Sequence, residues 1–340
     1  MLQDASEKEG LFTSLLDETA LGQGGNAPGA YATTPTDAAY NFVSSTSAPA
    51  QGGGNVGTLM AGSKWTSVDA ATSKTIVTYS FADPLNSTYA YSSNTEFLST
   101  LSAFSEADRQ MTRDVLARIE SVCNVDFVEV PDNAAECGVL RYGYSQEPNE
   151  LNHAGYAFFP SSATIGGDVW IGAAQAGSAW NFYRPNLVLH ETLHAMGLKH
   201  PFADGNVLAT AQDVISNTVM SYSTLPGSTS GSMSQYPASP MELDIAALQY
   251  LYGANTGTNG GNTVYDLSGA DFQSGFRCVW DGGGNDTFDA SRAAKAVTLD
   301  LDDSALSNVG AAVTARGVVN GVSTTASYTS TVSVAGGVVI

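Results

Sequence analysis

Only four histidines occur in the 340 residues, His153, His190, His194 and His200, and three of them fall in the single stretch His190 to His200. On a helix the His190–His194 spacing puts both imidazoles on one face, one turn apart, within reach of one metal ion. Glu191 stands beside the first of them, where it can hold a water. Gly197 sits where such a helix has to end, because glycine tolerates the left-handed backbone. A sharp turn there brings His200 toward the same ion. Three neutral imidazoles leave a four-coordinate zinc with an open position for water, as a catalytic site requires. Zinc lowers the pKa of its bound water from about 16 to about 7. Glu191 is then placed to take the proton as general base while the water attacks a peptide carbonyl, and to pass it on to the leaving amine. The bland alternative is a helix with coincidentally spaced histidines. A third histidine just beyond a glycine weighs against it.

These residues need elements to hold them. The spacing predicts the metal-binding helix over residues 186–198 and another over 105–122, where Ser105 and Asp108 suit the first turn and Met111, Val115 and Ile119 recur four apart. A further helix is expected over 240–251. Strands are expected at 75–81, 125–130, 139–144, 155–159 and 168–171, giving a mixed α/β sheet of the α+β class. After Gly253 the composition shifts to Gly, Asn, Thr and Asp, helical periodicity disappears, and 297–301 alternates as a strand. This reads as a second, all-β piece over 254–340, and the apolar ending at Ile340 reads as a cut inside a larger β domain. Residues 1–55 are rich in Gly, Ala, Ser, Thr, Asn and Pro. They read as a flexible leader or pro-segment with at most a short amphipathic helix at 8–20.

Hydrophobic residues make up 43% of the chain and charged ones 14%, enough apolar material for a sizeable core. The formal net charge of −20 argues against nucleic acid and anionic membrane surfaces as partners, and suits a protein that binds Ca²⁺. The acidity also serves plain solubility. Three cysteines, Cys123, Cys137 and Cys278, exclude a cysteine zinc site; Cys123 and Cys137 could pair. No signal peptide or membrane-spanning run is visible, so an export address is not expected at the N-terminal end.

The stretch His190–Pro201 resembles the extended zinc signature of metzincin peptidases and, through His200-Pro201, that of the serralysin group. Thr218-Val219-Met220-Ser221-Tyr222 resembles the Met-turn of that family. The resemblance implies that Met220 lies beneath the metal ligands and that Tyr222 is a fifth zinc ligand that swings to stabilise the oxyanion. Residues 244–255 look like the helix that closes the catalytic domain, and Val279–Asp289 like the start of a calcium-binding β-roll. The calcium loop is also readable from its glycines and carboxylates, against the bland alternative of a Gly-rich turn. By resemblance, Asn259, Gly261, Thr263, Asp281, Gly283 and Asp286 ring one calcium. The implied protein is a secreted, monomeric zinc endopeptidase with its catalytic domain over 56–253 and part of a calcium-binding domain after it. The expected fold is a metzincin domain with a mixed twisted sheet and a zinc helix. The edge strand, with Gly155, Tyr156, Ala157 and Phe158, is expected to pair with extended protein or peptide substrates. His153, just before that strand, is within reach of substrate, but a plain surface position is the reading preferred for it.

The sequence departs from that family in three respects. Tandem glycine–aspartate repeats and a C-terminal export signal are missing, and the stretch between His200 and Met220 is short, so the cleft rim should differ. The leader holds no cysteine, which excludes a thiolate that blocks the zinc. Two other readings stand beside the endopeptidase: a calcium-stabilised binding module whose zinc has become structural, against which Glu191 argues, and a latent zymogen with 1–55 across the cleft.

Overall fold

In the computed structural model the described residues are 42–44, 55–87, 99–133, 136–150, 153–161, 165–177, 183–203, 206–302 and 305–338. The predicted helix at 8–20 and the last two residues of the terminal apolar run lie outside them. A five-stranded sheet carries the N-terminal half. Its strands are β3 (Thr75–Phe81), β4 (Val125–Glu129), β5 (Leu140–Ser145), β6 (Gly155–Ala157) and β7 (Asp168–Gly172). Their order is β4-β3-β5-β7-β6, parallel throughout except for β6, which runs antiparallel to β7 at the edge. The sheet is mixed because a helical crossover, α1 (Glu106–Val122), joins β3 to β4 whereas only short connections join β7 to β6. Ser105 caps α1, its Oγ accepting from the Asp108 backbone N–H at 3.2 Å. A one-turn helix, α2 (Glu147–Glu150), separates β5 from β6.

Helix α3, which carries His190 and His194, runs over Arg184–Ala195, its N-terminus set by a proline in the first turn and tied by an Arg184–Asp108 ion pair to α1. It lies on β6 and β7. Helix α4 (Glu242–Tyr252) packs on α1 and on a 3-10 turn at Val56–Leu59. Strand β1 (Phe42–Ser44), inside the expected leader, pairs antiparallel with β2 (Ser63–Trp65).

Beyond Gly253 come β9 (Val264–Asp266), a helical turn α5 (Ala270–Gln273), β10 (Arg277–Val279), β11 (Thr287–Asp289), β12 (Val313–Val319), β13 (Val322–Tyr328) and β14 (Val332–Val334). The pairs β9/β11 and β10/β14 are parallel. The β12–β13 hairpin adds to β8 (Ser228–Met233), which precedes α4, to form one antiparallel sheet. One apolar cluster therefore runs from Leu189, Leu193 and Met220 to Phe276, Val313 and Ala335.

Three expectations need correction. The C-terminal piece is not wholly β, since it contains α5. Residues 297–301 do not form a strand. Only Thr298 is bridged, to Asn308, while the Asp300 N–H goes to Ser307 Oγ and Leu299 and Leu301 remain exposed, so the alternation has no partner strand. Cys123 and Cys137 are both buried and are not joined in a disulfide; the Cys123 thiol bonds back to the Ile119 carbonyl at 3.3 Å. No helix among the described residues is long and apolar enough to cross a membrane.

Candidate active site

Helix α3 ends where the chain has to fold back on itself. Trp65 Nε1 donates to the Ala195 carbonyl at 2.9 Å and the Tyr252 hydroxyl to the Met196 carbonyl at 2.8 Å, satisfying carbonyls that a helix end leaves bare. Gly197 then takes φ +98°, and a Cβ there would stand 2.2 Å from the Ser63 carbonyl oxygen. No other residue fits this turn. It delivers Leu198 into a bridge with Met60 and aims His200 back across the helix.

The three imidazoles converge. His200 Nε2 lies 3.1 Å from His190 Nε2 and 3.0 Å from His194 Nε2. His190 Nδ1 donates to the Val219 carbonyl and His194 Nδ1 to the Leu198 carbonyl, each at 2.7 Å. Only an N–H can meet a carbonyl oxygen, so in both rings the Nε2 lone pair faces the common point. Burial drives the pKa of His190 down to about 4 and those of His194 and His200 well below the usual value, so the rings are neutral. The lone pairs of His190 and His194 face His200 Nε2, and a cation among the three nitrogens would satisfy all of them at once. Zinc takes imidazole nitrogen at about 2.0–2.1 Å, which in a tetrahedron puts ligand atoms about 3.3 Å apart. The triad fits that ion.

Met220 is fully buried and its turn touches His190 through the Val219 carbonyl. The turn is fixed by Asp244 of α4, whose carboxylate accepts from the Thr218 hydroxyl at 2.5 Å and from the Val219 and Met241 N–H groups at 2.9 Å each. The Tyr222 ring stacks at 5.6 Å from His190 and lies 4.7 Å from His200.

Glu191 is 5% exposed, and burial alone pushes its carboxyl up to about 8. Its Oε1 faces β6, where a Cβ on Gly155 would come within 3.1 Å of it. The edge strand and the carboxylate thus share one cleft. A cavity of about 340 Å³ opens beside them, walled by Leu187, Ile215 and Val219 and reaching His190, Glu191 and Tyr222. His153 also lines this cavity and is half-buried. Tyr156 and Phe158 pack together at 5.6 Å against Trp170 rather than into the cavity.

Several contributors are not legible in the sequence. Phe202 stacks on His200 at 5.0 Å with ring planes 6° apart, and Phe159 meets His194 edge-on at 5.6 Å. Their only cue is an aromatic near a ligand. Trp65 and Asp244 act across 130 and 26 positions, where no local pattern reports them.

The second cluster also assembles. Asp281 Oδ1 accepts from the Gly283 N–H and its Oδ2 from the Tyr265 hydroxyl, which Asn259 also reaches. Asp286 Oδ1 accepts from the Thr263 N–H at 2.8 Å, and Thr263 Oγ1 donates to the Gly261 carbonyl. Asp286 Oδ2 is buried with no hydrogen-bond partner, which suits a hard cation that takes oxygen ligands.

Residues 243–337 match the family described as Peptidase M10 serralysin C terminal. The chain is 34% identical over 232 residues to Serralysin G of Dickeya chrysanthemi, covering 61% of this chain and 48% of that protein. It is 29% identical over 283 residues to Metallopeptidase AprA of Pseudomonas marginalis, covering 72% and 56%, and 30% identical over 246 residues to Serralysin of Proteus mirabilis, covering 61% and 49%. The chain thus spans about half the length of the curated relatives it matches.

Proposed function

From its likeness to serralysin-type metalloproteases we propose that the chain belongs with them and is a secreted zinc-dependent endopeptidase hydrolysing internal peptide bonds of proteins. Its catalytic part is residues 56–253, which has the organisation of a metzincin domain. Residues 254–340 form part of a calcium-binding domain, and residues 1–55 are a leader. The observation that carries the reading is the convergence of three imidazole Nε2 atoms beside a buried carboxylate and a sheet edge.

His190, His194 and His200 would hold the zinc, which when bound supplies a Lewis acid and acidifies water. The backbone carbonyls of Val219 and Leu198 fix two of those rings in the ligating tautomer. An extended substrate pairs with β6, which sets its scissile carbonyl in front of Glu191. Glu191 takes a proton from the attacking water. As the C–N bond breaks, it gives that proton to the departing amine. A buried carboxyl with a raised pKa suits both transfers near neutral pH. The Tyr222 hydroxyl donates to the oxyanion that develops on the carbonyl. In the second cluster Asp281, Asp286 and the carbonyls of their loops would hold calcium, which supplies folding energy.

Metal analysis paired with casein digestion tests the reading. The expected result is one zinc per chain, turnover that a chelator abolishes and added zinc restores, and a Glu191→Ala variant that keeps zinc while losing about 10²–10⁴-fold in rate. Retained turnover in zinc-replete Glu191→Ala would sink the mechanism, and zinc without turnover would favour a structural metal site.

A further inference from the structure

Asp213 stands out in the wall of the cavity beside the triad. It lies in the short stretch between His200 and Met220, and its backbone N–H bonds to the Ala209 carbonyl at 3.0 Å. Ser221 hydrogen-bonds its carboxyl group, but its Oδ1 is buried with no hydrogen-bond partner. No lysine or arginine occurs among the described residues of the lining, where the basic groups are His153 and His190. Lys199 is engaged with the carbonyls of His200, Ala203 and Asn206. Desolvation pushes the Asp213 carboxyl above its ordinary pKa, as expected for a carboxylate without a counter-charge.

Asp213 puts a carboxyl group with no lysine or arginine beside it into the wall of a largely apolar cavity, and a carboxylate so placed favours a cation that enters the cavity. The same cavity reaches the base Glu191 and the ligand His190. Whatever fills it is therefore held next to the reacting atoms. The walls of Leu187, Ile215 and Val219 suit a methylene stem, and Asp213 suits a charged head on that stem. Apolar stem and cationic head together describe the side chain of lysine or arginine.

We propose that this cavity is a specificity subsite that selects a lysine or arginine flanking the cleaved bond, with Asp213 as the residue that reads its charge. The proposal rests on the endopeptidase reading and adds to it a substrate class.

Two measurements test it. The first is cleavage by the zinc-loaded protein of a synthetic peptide library varied on both sides of the cleaved bond, read by mass spectrometry. The wild type should favour Lys or Arg over norleucine at one flanking position by about tenfold or more, the scale of a hydrogen bond to a charged group. Asp213→Asn, which keeps the shape, should bring that ratio near unity while neutral peptides are still cut. The second uses the non-cleaving Glu191→Gln protein and fluorescence anisotropy of labelled peptides that differ only by Lys or norleucine. The Lys peptide should bind more tightly, and adding Asp213→Asn should remove the difference. Cleavage without a basic preference, or a preference that survives Asp213→Asn, would overturn the subsite and leave the peptidase standing. No cleavage of any peptide would remove the peptidase reading, and the anisotropy arm would still decide whether Asp213 selects a cation.

Discussion

Burial, with no compensating charge, pushes the carboxyl of Glu191 up to about 8. In the unfolded chain the same group titrates near 4.3. Ionising it in the metal-free protein therefore costs stability, and the cost grows as pH rises from about 4.3 through 8. His190 has the opposite sign. Its folded pKa of about 4 lies below the unfolded value, so its contribution is present above about 6.5 and is lost as pH falls toward 4. Glu191→Gln removes the first effect and leaves the second. In chelator-treated protein we expect Glu191→Gln to melt near wild type at pH 5 and to become more stable than wild type by up to a few kcal/mol at pH 8. Thermal melts of both proteins across that range check it; a constant difference would show that Glu191 does not carry a raised pKa. Zinc should shrink the gap, because a nearby cation favours the carboxylate.

The elements around the site act as clamps on the end of α3. Strand β2 and the segment before it grip that end through Trp65 and through the Ala61 and Lys199 N–H groups, which donate to the Gly197 and Leu59 carbonyls. Gly197 is the position where this packing permits no side chain. Gly197→Ala faces both a positive φ and a backbone oxygen at 2.2 Å. The expected loss is at least about 2 kcal/mol in denaturant unfolding, with weaker zinc binding in competition against a chromophoric chelator, since the Leu198 carbonyl that orients His194 has to move. Gly177→Ala is the matched control. Its φ is +65° but nothing lies within 4 Å of the added carbon, so it should cost only about 1 kcal/mol and leave zinc affinity unchanged. The Met-turn is clamped in the same way from α4 by Asp244.

Across the whole molecule, the C-terminal region is part of the wall behind the cavity. Strand β8 supplies Ser228 and Thr229 to the cavity lining, and its partner is β12. Thr224 Oγ1 donates to the Arg316 carbonyl at 2.8 Å, the Tyr328 hydroxyl donates to the Thr224 carbonyl at 3.0 Å, and a Cβ on Gly231 would meet the Arg316 carbonyl at 2.3 Å. Anything that firms the Asp281–Asp286 loops therefore firms a body that extends to the cleft. Millimolar calcium should raise the melting temperature, by an amount equivalent to about 2.7 kcal/mol at a hundred times Kd. Asp286→Asn should abolish that increment, because it removes the carboxylate whose Oδ2 lacks a protein partner. Calorimetry with and without calcium decides this, and an unchanged calcium response in the variant would exclude Asp286 as a ligand.

The sequence by itself determined whatever is written at short range. A helix repeats every 3.6 residues, so the His190–His194 spacing and the following glycine already imply a shared focus. Alternation at 75–81 and four short strand-like runs located the five strands of the main sheet to within about two residues. Local chemistry also marked the Asp281–Asp286 loop. Tertiary structure decided everything that joins distant segments: Trp65 on the end of α3, Asp244 on the Met-turn, the β12–β13 hairpin on β8, and the position of Asp213 in the cavity wall. It also decided against the strand at 297–301 and against a Cys123–Cys137 bond. The physical reason is the same in each case. A hydrogen bond or a packed surface needs a partner, and when that partner lies tens of residues away no local periodicity carries a trace of it.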